Sequence, residues 1–159
     1  MRKIKNHDEL RKIVEDMKAA GKKVVFTNGC FDIIHTGHTR YLDIAKKYGD
    51  ILIVAVNSDD SVRIIKGDKR PILPQSERAE LLAALTMVDY VTIFEEADPG
   101  SIIAELMPDV LVKGGDWAVD EIIGRDIVEA NGGKVIPIPY VEGASTTGIV
   151  ERITERYCK

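Results

Sequence analysis

His35-Thr36-Gly37-His38 contains two of the chain's three histidines, three residues apart. At a helix start that spacing puts both imidazoles on one face, near the positive end of the helix dipole. Ring N–H groups beside free backbone amides suit a polyphosphate. Gly37 lets a ligand approach the backbone closely. A metal pair is the weaker reading, because no third Cys, His or carboxylate stands at ligand spacing. Just upstream, Thr27, Asn28 and Gly29 end a β-rich run in a glycine turn. The amides of Cys30 and Phe31 are then free to meet a phosphate, while their side chains pack in the core. Asp32 caps the turn, orients His35 or helps place a metal ion.

A second cluster, Lys113-Gly114-Gly115-Asp116-Trp117, also follows an apolar run. Its two glycines remove bulk where a base or ribose would lie, and Asp116 offers a carboxylate to ribose hydroxyls or an amino group. Trp117 packs a pocket wall or the core. Ser145-Thr146-Thr147 has more hydroxyls than one N-cap needs. Arg70 and Arg78 either pair with carboxylates or bind an anionic substrate, and Asn57 lines the acceptor side.

These residues need a frame. Leu10, Ile13, Val14 and Met17 follow helical spacing over about residues 7–20, and Gly21 ends that helix. Five short apolar runs read as strands: Lys23 to Thr27, Ile51 to Val56, Tyr90 to Phe94, Val110 to Lys113 and Lys134 to Ile138. Continuous runs of this kind fit strands buried on both faces. Helices are expected over Gly37 to Tyr48, near Ser58 to Ile65, over Gln75 to Leu85 with Leu81, Leu82 and Leu85 inward, from Pro99-Gly100 to about Met107, over Asp126 to Ala130, and from Ser145 onward. Lys66 to Pro74 reads as a mobile loop. The alternation predicts one α/β domain over residues 1–159, with a core over about 22–157. Its doubly wound, Rossmann-like parallel sheet has five strands in the order 3-2-1-4-5. In such sheets ligands bind beyond the strand C-termini where the order reverses, between the first and fourth strands. The clusters around His35 and Lys113 follow those two strands.

Composition narrows the classes. A net charge of −4 offers no field for a nucleic-acid backbone, so no nucleic-acid partner is expected. Two cysteines without a CxxC pair point to neither a disulfide framework nor a zinc site, and to a reducing cytoplasm. The N-terminus lacks the apolar stretch of a signal peptide, and the apolar runs are too short to span a membrane.

Gly29 to His38 resembles the GxFDxxHxGH motif of the cytidylyltransferase-like nucleotidyltransferase superfamily. Further blocks, among them Val56-Asn57-Ser58-Asp59, Arg70-Pro71, Glu77-Arg78, Lys113 to Asp116 and Glu142 to Thr147, resemble its heptose 1-phosphate adenylyltransferase branch over roughly residues 22–155. That resemblance implies transfer of AMP from ATP to D-glycero-D-manno-heptose 1-phosphate, with release of pyrophosphate. The acceptor phosphate is already ionised, so positioning and charge stabilisation replace a general base. The resemblance implies phosphate contacts for His35, His38 and Lys66 in the catalytic group, and for Ser145 and Thr146 at the last helix start. With that reaction, Thr27, Asn28, Gly29, Cys30, Phe31, Gly37, Lys113, Gly115 and Asp116 are expected to line the nucleotide, and Asn57 with one of Arg70 and Arg78 to serve the acceptor. No residue is assigned as a protein metal ligand; Mg²⁺ accompanies ATP, held by phosphates and water. Family habit suggests a homo-oligomer. The rival readings are a cytidylyltransferase for glycerol 3-phosphate or a phospho-amino-alcohol, an FMN adenylyltransferase, and a nucleotide-binding regulator without catalysis.

Overall fold

Val24, Val25, Phe26, Thr27 and Asn28 are all buried, and they lie in the central strand β1 (Val24–Gly29). The structure, a computed structural model, describes residues 2–139 and 142–158. Among them follow α2 (Thr36–Lys46), β2 (Ile51–Asn57), α3 (Asp59–Lys66), α4 (Gln75–Ala84), β3 (Tyr90–Phe94), α5 (Gly100–Leu106), β4 (Val110–Gly114), α6 (Arg125–Ala130), β5 (Lys134–Ile138) and α7 (Thr146–Tyr157), with α1 (His7–Ala19) ahead of β1. The five strands form one parallel sheet in the order β3-β2-β1-β4-β5, as the alternation predicts.

Successive side chains along a strand point to opposite faces, so the sheet carries two cores. On one face Val25, Val54 and Val112 meet Tyr41, Leu42 and Ala45 of α2 and Ala79 and Leu82 of α4. On the other, Phe26, Ile53 and Leu111 meet Leu10 and Val14 of α1 and Ile102, Ile103 and Leu106 of α5. No helix among the described residues is long and apolar enough to cross a membrane.

The centre of the sheet is where the site begins. β1 pairs with β2 along its whole length, from Val24–Ile51 to Gly29–Val56. It pairs with β4 only at Val25–Val110 and Phe26–Leu111. Beyond that the two strands part. Tyr41 of α2 fills the split: its hydroxyl accepts from Thr27 Oγ1 and donates to the Val112 carbonyl at 3.2 Å. Gly114 packs closely here: a Cβ would lie 3.2 Å from the Tyr41 ring, a tight contact that the ring would have to ease. In a sheet of this order the crevice that receives a ligand lies here, beyond the C-terminal ends of β1 and β4.

Two details differ from the sequence expectation. Leu81 is 45% exposed, and the inward face of α4 is Arg78, Ala79, Leu82 and Ala83. A buried arginine takes a place that apolar spacing assigns to leucine. The second half of the Lys66–Pro74 loop is pinned: the Ile72 and Leu73 amides donate to Asp32 at 2.7 and 2.9 Å.

The outer edge of β3 is covered by the N-terminal segment. The Lys5 amide donates to the Val91 carbonyl and the Val91 amide to the Lys3 carbonyl, both at 2.9 Å, and the Lys3 ammonium reaches the carbonyls of Leu85 and Val88. Deleting residues 2–5 is expected to cost about 2 kcal/mol, a fall in melting temperature of roughly 4–8 °C. Thermal unfolding followed by circular dichroism measures it, and an unchanged midpoint would show that the segment contributes nothing.

Candidate active site

The N-terminus of α2 is capped by its own histidines. His35 has extended backbone, and its Nδ1 accepts from the Gly37 amide at 3.1 Å. His38 Nδ1 in turn accepts from the His35 amide at 3.4 Å. The result is a capping box built from imidazoles. It also assigns the tautomer. An Nδ1 that accepts carries no proton, so each neutral ring bears its proton on Nε2 and keeps that N–H as a free-standing donor. The rings stack with centroids 3.9 Å apart, and the Phe31 ring lies 5.4 Å from His38.

Burial lowers the pKa of His35. For His38, burial and then the neighbouring His35 charge outweigh the pull of Asp32 and lower the value to about 4. Both rings are therefore neutral donors near pH 7. Gly37 admits this packing: a Cβ would lie 2.8 Å from His35 Cε1 and 3.1 Å from Ala144 Cβ. Its small size serves close approach within the protein.

The loop from β1 to α2 is strained and firmly held. Phe31 and Ile33 adopt φ of 47° and 54°, the left-handed region that non-glycine residues, above all β-branched ones, avoid. Between them the Asp32 carboxylate has no exposed side-chain surface and accepts from Arg70 Nε at 2.6 Å besides the Ile72 and Leu73 amides. Burial alone raises its pKa. The Leu73 and Ile72 amides and the Arg70 guanidinium more than offset this and hold it below the ordinary carboxylate value. The Asp32 carbonyl accepts from Thr146 Oγ1 at 2.7 Å. One residue thus ties the α2 loop to the segment before α4 and to the start of α7.

Arg78 makes the second tie. It is fully buried and donates to the Leu73 carbonyl at 3.0 Å, the Cys30 carbonyl at 2.5 Å and the Asp59 carboxylate at 2.9 Å.

The proposed site residues fall into two groups. His35, Gly37, His38, Phe31, Cys30, Ser145 and Thr146 gather around the starts of α2 and α7. Lys66 and Lys113 belong there electrostatically: burial raises the Cys30 pKa, and Lys66, Arg78, Arg70 and Lys113 pull it back. Lys113 is itself lowered by burial, with Lys66 adding to that and Cys30 opposing it. Asp116 is exposed beyond the end of β4. The other group is turned inward. Thr27 is buried against Tyr41, Asn57 is buried with its amide on Ser61 Oγ at 2.9 Å, and Arg78 and Arg70 are engaged as above. Ser145 Oγ caps α7 by accepting from the Gly148 amide at 3.0 Å. Tyr41, which helical spacing marks only as core, and the hub at Asp32 are the parts that the sequence reading missed. The signal for Asp32 was a carboxylate set among Phe31, Ile33 and Ile34, which needs donors wherever it is buried.

Chemically, the crevice offers two neutral N–H donors, two helix N-termini and the Lys66 and Lys113 ammonium groups, a set matched to a polyanion. A family model described as cytidylyltransferase-like matches residues 26–152. The bifunctional protein HldE of Pelobacter propionicus is 52% identical over 155 residues, covering 98% of this chain and 32% of its own length. That of Nitratiruptor sp. is 55% identical over 150 residues, covering 94% and 32%. The chain spans about a third of these curated relatives. The crystal structure of a lipopolysaccharide core biosynthesis protein from Thermoplasma volcanium superimposes with a TM-score of 0.66 at 32% identity, covering 77% of this chain and all of that one. A pantoate–β-alanine ligase from Francisella tularensis shares the fold, with a TM-score of 0.61 at 15% identity over 96% of this chain and 77% of its own.

Two outcomes follow from the geometry. An unfolded histidine takes up a proton near 6.5, whereas folded His38 resists until about 4. Stability is therefore undiminished above about pH 6.5 and declines as pH falls toward 4. Urea unfolding at pH 7.5 and 5 should show a smaller decline for His38→Asn than for the wild type, and equal declines would remove the inference. Arg78→Met strands Asp59 and two carbonyls, so a loss on the order of 3 kcal/mol is expected in the same assay; undiminished stability would return Arg78 to the substrate-binding set.

Proposed function

The chain belongs to the cytidylyltransferase-like family, and from that premise we propose that it transfers AMP from ATP to a sugar 1-phosphate, D-glycero-β-D-manno-heptose 1-phosphate, releasing pyrophosphate. The observation that carries this reading is the imidazole cap of α2, in which both Nδ1 atoms accept from backbone amides and two neutral Nε2–H donors are left beside the start of α7. The heptose follows from the motif resemblance, and the lipopolysaccharide core biosynthesis relative supports it.

In this mechanism an ionised oxygen of the acceptor phosphate attacks the α-phosphorus of ATP in line. The bond from that phosphorus to the bridging oxygen breaks, and its electrons leave with pyrophosphate. No proton has to move, which suits a site without a nucleophile–base pair. His38 and His35 donate to phosphate oxygens whose charge grows in the transition state, where a preorganised donor acts most strongly. The amides at the starts of α2 and α7 hold the triphosphate. The backbone of Gly29, Cys30 and Phe31 borders the α-phosphate, and Asp116 receives the ribose. Thr146 and Ser145 act through the helix start they brace, and Asp32, Arg70 and Arg78 act as positioning residues. Mg²⁺ bound with ATP would neutralise part of the phosphate charge. Among the described residues no group of three His, Cys, Asp or Glu is arranged to hold a metal ion, and the Asp32 carboxylate already accepts from three donors; the ion would be held mainly by phosphates and water.

A pyrophosphate-release screen crossing ATP and CTP with heptose 1-phosphate, glycerol 3-phosphate, phosphocholine and FMN tests the assignment. Turnover is expected with ATP and heptose 1-phosphate. Turnover with CTP alone would make the chain a cytidylyltransferase. His38→Ala should lower kcat at least about a hundredfold, the scale of removing one transition-state donor, while circular dichroism stays native. Near-normal turnover would sink the role given to His38.

A further inference from the structure

Two of the groups expected to hold the acceptor are engaged elsewhere: Asn57 is buried on Ser61, and Arg78 is fully buried. Arg70 binds Asp32 through Nε alone and its side chain is 20% exposed, so its Nη groups remain one cation for the acceptor's phosphate. Two further cations are at hand. Lys66 and Lys113 lie near the crevice, and neither forms a salt bridge with a carboxylate among the described residues.

Their direction matters. Val112 and Gly114 point to the α2 face of the sheet, where Val112 joins the core and Gly114 abuts Tyr41. Lys113 alternates with them, so its side chain leaves the opposite face, toward Cys30 and Lys66. In-line displacement has the same polarity. If pyrophosphate departs against the starts of α2 and α7, the attacking phosphate must arrive from the other side of the α-phosphorus. Two like charges near each other gain from a dianion placed between them.

Trp117 lies next to Lys113. It is the only tryptophan, is 44% exposed and belongs to neither core cluster. The indole is not loose: Nε1 donates to the Gly114 carbonyl at 3.1 Å, and Lys113 Nζ lies 6.0 Å from the ring centroid. A held, half-exposed aromatic plane beside the Lys113 ammonium is suited to a sugar phosphate, whose C–H face packs on the ring while its phosphate meets the cation.

We propose that Trp117, Lys113 and Lys66 form the acceptor subsite, with the indole stacking on the sugar ring and the two ammonium groups holding its 1-phosphate. This rests on the nucleotidyl-transfer reading above, and it moves Lys113 from the nucleotide to the acceptor.

Steady-state pyrophosphate release with ATP and heptose 1-phosphate tests it. Trp117→Ala should raise the KM for the sugar phosphate about tenfold or more and leave that for ATP within about twofold. Trp117→Phe, which keeps a flat ring, should recover most of the loss. A higher KM for ATP alone would assign the indole to the base, and unchanged constants would remove it from the site; either result overturns the proposal. If the wild type turns over no sugar phosphate, the functional reading fails. The subsite is then tested by the emission of the single indole, titrated separately with heptose 1-phosphate, Mg·ATP and inorganic phosphate. A saturable change with the sugar phosphate only supports it. A change with Mg·ATP only, an equal change with inorganic phosphate, or none overturns it.

Discussion

The Asp32 carboxylate is charged and has no exposed side-chain surface, so it must be surrounded by donors. The donors come from one short stretch, Arg70 to Leu73. That requirement holds the β1–α2 loop against the segment leading into α4 and stabilises left-handed backbone at Phe31 and Ile33. The same residue's carbonyl fixes the start of α7 through Thr146. Arg78 repeats the connection from below, on the carbonyls of Leu73 and Cys30. Rotating Asp32 away would leave a buried charge unpaired and free three separate segments.

The chemistry proposed for the crevice depends on that rigidity. In α2, His38 Nδ1 accepts from the His35 amide and His35 Nδ1 from the Gly37 amide, which commits both Nε2 atoms to donation. Burial lowers both pKa values, so donation near neutral pH comes from neutral rings. A neutral donor fixed in direction does not have to shed a hydration shell around a full charge, and it gains most where phosphate charge increases. The part of the split between β1 and β4 nearest the core is closed by Tyr41.

Much of this was legible in the sequence. Continuous apolar runs such as Ile51 to Val56 marked strands buried on both faces, and their alternation with helical segments gave the sheet order. The two histidines, Gly37 and the Ser145-Thr146 start were readable because their types suit a helix terminus. The polar partners were harder. Arg70 and Arg78 look alike in a one-dimensional string, since a guanidinium facing an anionic ligand and one buried on carbonyls share the same residue type. Only the fold brings Cys30, Asp59 and Leu73 around Arg78. Leu81 was misread for the same reason: spacing assigns apolar residues to the interior and does not anticipate a buried arginine. Tyr41 matched the core pattern while its hydroxyl linked two strands.

The central claim is direct transfer, with positioned donors in place of an enzyme nucleophile. The configuration at the α-phosphorus tests it most directly. A single diastereomer of ATP carrying sulfur on that phosphorus would be turned over with heptose 1-phosphate and the product's configuration determined by phosphorus NMR. One in-line displacement predicts inversion. Retention would require two displacements through a covalent nucleotidyl–protein intermediate and would contradict the account.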